Sequence, residues 1–266
     1  MPRQSHMPRY GFTLVEMSIV LVIIGLLVGG LAGMRSYTRS AAISAMMNDG
    51  KFYINAYNQF VNRYGTPPGD LTTASSMWSG AIGSPDVDGN GLIRATTTAG
   101  GDGNRTEMLA AWQHLARAGF IPGAYTGATV GGVGTFNFRI GTNAPGTKLD
   151  KVVFLFEHPD YDDGVPDGFI EAGNTHPLYF LGQYPNVLRI SGLYDADTGV
   201  PARGFLTPKQ AKQLDEKHDD GKPGTGMIVT PHNSGLANCA TSDVPSSADY
   251  ATAADAKNCW LLQKIQ

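Results

Sequence analysis

Charge is scarce in this chain, and over one stretch it is missing: from Met17 to Met34 no residue carries an ionisable side chain. Charged residues make up only 16% of the 266, and the formal net charge is −3. That balance gives no overall basic character to attract DNA or acidic lipid, which argues against nucleic acid as a partner. Catalytic signatures are also absent. There is no His-Glu-x-x-His zinc motif, no Gly-x-Ser-x-Gly elbow and no Gly-x-x-x-x-Gly-Lys phosphate loop, and the six histidines are scattered. The expectation is a protein that is not an enzyme and requires no cofactor. Cysteine occurs twice, at Cys239 and Cys259, with no second cysteine or histidine beside either to suggest a metal site. Proline is missing between Phe12 and Tyr64.

What stands in that proline-free stretch is informative. The apolar run between Glu16 and Arg35 is about 18 residues, or roughly 27 Å as a helix, close to the thickness of a bilayer core. A membrane-spanning part at about 12–34 is therefore expected. Upstream, Met1 to Tyr10 carries Arg3 and Arg9 and no acid, so the positive-inside rule keeps the N-terminus cytoplasmic and sends the rest across. A secretory signal peptide fits poorly. Its small residue should follow the apolar core, whereas Gly11 precedes it and no A-x-A-like site follows Met34. Glu16 is a carboxylate at the edge of an apolar segment, a costly placement that calls for a positive partner.

A short basic leader ending in Gly11, then Phe12-Thr13-Leu14-Val15-Glu16 and a long apolar helix, resembles the signal of type IV prepilins and type II secretion pseudopilins. The resemblance implies a set of roles. A prepilin peptidase cuts after Gly11, Phe12 becomes the methylated N-terminus, and Glu16 guides assembly by neutralising the Phe12 amine of a neighbouring subunit. The implied partners are other pilin or pseudopilin subunits, met through the N-terminal helix, with the peptidase and the inner-membrane assembly platform. The implied location is the inner membrane with a periplasmic head, then a pilus at the cell surface or a periplasmic pseudopilus. Relatives usually carry a proline inside this helix. Here Gly25, Gly29, Gly30 and Gly33 occupy the region, either as weak points, each costing about 1 kcal/mol relative to Ala, or as small residues that let helices approach. Met7 is a second candidate start, leaving a leader of Met7 to Gly11.

Beyond Arg35, Tyr53, Tyr57, Phe60, Val61 and Tyr64 recur at spacings of three and four and mark one helical face that should pack on a head. Gly65 supplies a stop and Pro67-Pro68 forbid continuation. The phrase Tyr64 to Leu71, with Trp78 soon after, also resembles the loop that leaves this helix in many prepilin-like proteins. The expected organisation is a leader at 1–11, a long helix at 12–65 and a globular head at 66–266. With 34 Gly and 16 Pro, the head should be rich in loops. The fold class is α+β: a long N-terminal transmembrane and assembly helix packed on a head with an antiparallel sheet.

Within the head, Asn104 and Glu107 suggest a capping box before a helix carrying Met108, Leu109, Trp112, Leu115 and Ala116 up to Gly119. Trp112 and His114 are read there as core and surface residues, not as ligands. Phe136 to Ile140 alternates like a half-buried strand, and the continuously apolar Val152 to Phe156 reads as a central one. Leu178–Leu181, Val187–Ile190, Met227–Val229 and Trp260–Ile265 are further strand candidates. Thr207-Pro208-Lys209-Gln210 should open a helix toward Lys217. Cys239 and Cys259 lie in the part that topology places outside the cytoplasm and should be joined; many type IV pilins also have a C-terminal disulfide loop.

Three acidic loops have the hard oxygen ligands that suit calcium. Asp86, Asp88 and Asn90, with Gly91 and Ile93, resemble the first half of an EF-hand loop, but Thr97 stands where its bidentate Glu belongs. Asp160, Asp162, Asp163 and Asp167 form a second cluster, and Asp215, Glu216, Asp219 and Asp220 a third. For each loop taken alone, solvated turn residues are the commoner explanation. Taken together, the sequence reads as a structural subunit of a type IV pilus-like filament. The alternatives are a pseudopilin of a type II secretion system and a minor tip pilin that binds DNA, a surface or an exoprotein.

Overall fold

The computed structural model describes residues 12–83, 87–93, 106–128, 138–159, 185–193, 203–230, 239–242 and 244–265, without the side chains of 30–36 and 106. The chain divides into two compact units, Met1–Ser44 and Ala45–Gln266. An N-terminal helix and a globular α+β part with an antiparallel sheet make up the described fold.

Helix α1 runs over Leu14–Tyr64, 51 residues. In its first turns the apolar side chains are exposed in every direction, from Leu14 at 90% to Leu26 at 72% and Val28 at 63%. An amphipathic helix would show a polar face between them, and this one has none. Among the described residues no helix is long and apolar enough to cross a membrane.

The second unit begins inside α1, where Met46 and Met47 are fully buried. The stripe anticipated on the helix packs on this unit. Tyr53 stands edge-on to Trp112 and to Phe154, each at 5.0 Å between ring centroids. Tyr57 meets Phe156 at 5.3 Å, and Phe60 lies parallel to the ring of His114 at 6.2 Å. Such aromatic pairs add to plain area burial and hold the helix in one register. Gly50 leaves room for the Gln263 side chain, since a Cβ there would come within 2.7 Å of Gln263 Oε1. The helix ends when Gly65, at φ +74°, turns the chain while its N–H still bonds Val61 O at 2.8 Å.

A short turn of helix, α2 (Ala74–Met77), and the 12-residue α3 (Thr106–Arg117) follow. The sheet contains β1 (Val152–Glu157), β2 (Val187–Gly192), β3 (Ile228–Val229) and β4 (Leu261–Lys264), antiparallel throughout in the order β1-β2-β4-β3. Helix α4 (Pro208–His218) lies between β2 and β3 in the chain. It opens with the anticipated capping box: Thr207 Oγ1 accepts from Gln210 N at 3.2 Å, and Thr207 N donates to Gln210 Oε1 at 3.1 Å.

Two readings of the head need correction. The Val152 to Phe156 run stands at one end of the described sheet, not at its centre. It is apolar throughout because both faces are buried, with α1 and α3 rings over Phe154 and Phe156. Its outer edge is closed as well, by Phe154 N to Pro145 O at 3.1 Å and Thr147 N to Val152 O at 2.9 Å. His114 is not a surface residue; it is fully buried. Its Nδ1 accepts from Gly69 N at 2.9 Å and its Nε2 meets Ile82 O at 2.7 Å, so the neutral Nε2–H form ties two loops to α3. Burial lowers its pKa to about 4. The candidate strand at Leu178–Leu181, together with Phe136, Asn137 and Asn104, lies outside the described residues.

Candidate functional site

The N-terminal segment presents a long apolar surface headed by one polar group. Phe12 is 79% exposed, and its neighbours Leu14, Val15 and Met17 are exposed with it. Gly11 lies outside the described residues. Glu16 makes a local arrangement that the sequence analysis overlooked. Thr13 N and Thr13 Oγ1 both donate to Glu16 Oε2 at 2.8 Å, while Glu16 N donates to Thr13 Oγ1 at 3.2 Å. This is a capping box, and its signal, Thr13-x-x-Glu16, is plain in the sequence. The carboxylate therefore closes the N-terminus of its own helix, where the positive end of the helix dipole favours an anion.

Cys239 and Cys259 form the disulfide, with Cα atoms 5.3 Å apart and both residues fully buried. Each cysteine adjoins a local ladder: Ala240 pairs with Tyr250, and Cys259 pairs with Leu206. The bond thus fastens the segment after Cys239 to the entry of β4 and to the start of α4.

The acidic residues fall into two groups that sequence spacing only half anticipated. Asp88 is brought to Asp70 and Glu107, with ligand oxygens of all three within 4.8 Å of one another. Asp86 lies outside the described residues. Asn90 Oδ1 accepts from Leu92 N at 2.7 Å, and its Nδ2 donates to Asp88 Oδ2 at 2.7 Å, so it shapes the turn. Asp70, buried at 1% exposure, was not singled out from the sequence. Its Oδ1 and Oδ2 accept from Gly89 N and Gly91 N, each at 2.6 Å, and burial raises its pKa. Glu107 Oε1 accepts from Asp88 N at 3.2 Å. The loop is held chiefly by its backbone N–H groups. The cluster of Asp160, Asp162, Asp163 and Asp167 lies outside the described residues.

The second group is Asp215, Asp219 and Asp220, again with ligand oxygens within 4.8 Å of one another. Asp219 Oδ2 accepts from Met227 N at 2.5 Å and Ile228 N at 2.7 Å. Asp220 takes Lys222 N on Oδ1 at 2.9 Å and Thr225 Oγ1 on Oδ2 at 2.5 Å. Asp215 Oδ2 accepts the Tyr250 hydroxyl at 2.7 Å. Burial raises the Asp215 pKa to about 7; the charges of Asp220 and Asp219 add to the rise, and the Tyr250 O–H and nearby Gly221 N–H oppose it.

Against known proteins, residues 7–32 match the family described as the prokaryotic N-terminal methylation motif, the signal of type IV pilins and pseudopilins. No curated protein and no solved structure matches the chain.

Proposed function

We propose that this chain is a structural subunit of a type IV pilus-like filament, cut between Gly11 and Phe12 by a prepilin peptidase and assembled through its apolar N-terminal helix. The methylation motif at residues 7–32 makes it a pilin- or pseudopilin-like subunit in general terms. What favours assembly in particular is the uncovered apolar surface from Phe12 to Val28. So large an exposed patch is unfavourable in water and marks a surface that meets lipid or another protein. A filament supplies the second of these: identical helices packed side by side remove one another's side chains from water, and a head-to-tail contact repeats without closing.

Before assembly, the same surface keeps the subunit at the inner membrane, with the disulfide-bonded head beyond it. Cleavage exposes the Phe12 amine. In the filament Glu16 exchanges its Thr13 contacts for the amine of a neighbour, a charge pair in a low dielectric that sets axial register. The protein works by assembly, not by catalysis.

The test is deletion of the gene followed by joint examination of surface filaments, exoprotein secretion and DNA uptake, with the full chain restored on a plasmid. Loss of surface filaments, with secretion intact, is expected. Loss of secretion with filaments intact would assign the chain to a secretion pseudopilus instead. Loss of DNA uptake alone would indicate a minor binding subunit.

A further inference from the structure

We propose that Asn90 and Gly91 form a self-modifying site, at which the Gly91 backbone nitrogen attacks the Asn90 side-chain amide and converts residue 90, through a cyclic imide, to aspartate and isoaspartate. The site goes beyond the assembly reading, uses no residue of α1 and needs no reactant other than water.

The sequence contributes the reacting pair. Asn90-Gly91 is the only Asn-Gly dipeptide in the 266 residues, and glycine leaves the attacking nitrogen without a Cβ beside it to obstruct the approach. Gly91 has φ +89°, and even an added Cβ would meet nothing within 4 Å. Asn90 is exposed, so water reaches the product. The fold contributes the rest. Imide formation needs a base for the peptide N–H, a donor for the oxyanion that develops on Oδ1, and a polar group beside the departing nitrogen. Gly91 N donates to Asp70 Oδ2 at 2.6 Å. Leu92 N donates to Asn90 Oδ1 at 2.7 Å, an Asx turn that folds the side chain over the Asn90–Gly91 peptide. Asn90 Nδ2 donates to Asp88 Oδ2 at 2.7 Å.

The base is fixed in place. Asp70 is 1% exposed, its Oδ1 accepts from Gly89 N at 2.6 Å, and Thr66 Oγ1 donates to its Oδ2 at 3.2 Å. The N–H bond lies in the peptide plane, whereas attack on Cγ uses the nitrogen electrons above that plane, so Asp70 and Cγ engage the same nitrogen without competing. As the bond from Gly91 N to Asn90 Cγ forms, Asp70 Oδ2 takes the proton and negative charge moves onto Oδ1, facing Leu92 N–H. The Cγ–Nδ2 bond then breaks while the carbonyl re-forms, and the proton held by Asp70, relayed by water, leaves with the nitrogen as ammonia. Water opens the ring at either carbonyl. The product sets a carboxylate against Asp88 where an N–H donor stood, a like-charge contact that loosens the turn.

The experiment incubates the full chain in detergent micelles in heavy-oxygen water and follows position 90 by peptide mass spectrometry. The folded protein should convert at least about tenfold faster than the same chain unfolded in guanidinium chloride, because unfolding separates Asp70 from the pair and releases the Leu92 N–H. Aspartate and isoaspartate should both appear, carrying heavy oxygen. Asp70→Asn should slow conversion at least about tenfold, and Glu216→Gln, on α4, should leave it unchanged. The folded-to-unfolded rate ratio of the wild type involves no variant and decides the matter if Asp70→Asn fails to fold. Conversion no faster in the folded protein than in guanidinium chloride overturns the proposal. So does aspartate without isoaspartate, which means direct hydrolysis of the amide, or a folded Asp70→Asn protein that converts at the wild-type rate.

Discussion

The disulfide offers the most quantitative test of the head. Cys239 and Cys259 are 20 residues apart, and closing a loop of that length removes entropy from the unfolded chain worth about 3 kcal/mol. Both residues are fully buried, and Cys259 also exchanges backbone hydrogen bonds with Leu206: Cys259 N to Leu206 O at 3.0 Å and Leu206 N to Cys259 O at 3.1 Å. Opening the bond should therefore loosen the 239–250 segment first and leave the β1–β2 pairing in place. For a protein of this size, about 3 kcal/mol corresponds to a fall in melting midpoint of roughly 6–12 °C. The assay is thermal unfolding of the full chain in detergent, oxidised and reduced, alongside a Cys239→Ala/Cys259→Ala double variant. The double variant should melt at or slightly below the reduced protein, because removing two buried sulfurs also removes contacts. Thiol labelling of the native oxidised protein should find none. A midpoint that moves by less than about 2 °C on reduction would refute the loop-entropy reasoning, and two freely reacting thiols would refute the bond.

The N-terminus of the mature protein should be Phe12 by mass spectrometry, with one added methyl group, and Gly11→Glu should leave the precursor uncut; a chain beginning after Met34 would contradict the prepilin reading. Glu16→Gln retains a side chain that can close the capping box but discards the charge, whereas Thr13→Ala does the reverse. If charge pairing sets register, Glu16→Gln and Glu16→Ala should enter filaments poorly beside wild type, and Thr13→Ala should enter well. Equal incorporation of Glu16→Gln would show that capping is the only role of this carboxylate. Arg189 is buried between Glu157, at 3.3 Å, and the face of Trp260, at 4.8 Å. Arg189→Met leaves a buried carboxylate without its cation and should cost about 3–5 kcal/mol in denaturant unfolding, whereas the same loss at the exposed Lys212–Glu216 pair should be barely measurable. His114, with its pKa lowered to about 4 from 6.5, favours the folded state fully above pH 6.5. That contribution is lost as pH falls from 6.5 toward 4, because only the unfolded chain takes up the proton there. Ring nitrogen shifts in NMR should report a neutral Nε2–H imidazole down to about pH 4.

Local patterns were legible in the sequence wherever a few adjacent residues decide the outcome. The leader and Phe12 to Glu16, the helix stop at Gly65, the Thr207 to Gln210 cap and the apolar runs of β1, β2, β3 and β4 all belong to this class, since backbone geometry and side-chain period act over one or two turns. The Thr13–Glu16 box is equally local, set by a Thr and a Glu three residues apart. Tertiary structure alone decided the rest. The order β1-β2-β4-β3 depends on which strand edges meet after long connections, and β1 is covered because α1 and α3 rings lie over Phe154 and Phe156 while the 145–147 segment closes its outer edge. Asp70, Asp88 and Glu107 are separated in the chain yet meet around one loop, and Asp215 is removed from water only by the elements folded around it. Burial depends on every element packed around a residue, so no window of neighbouring residues contains it.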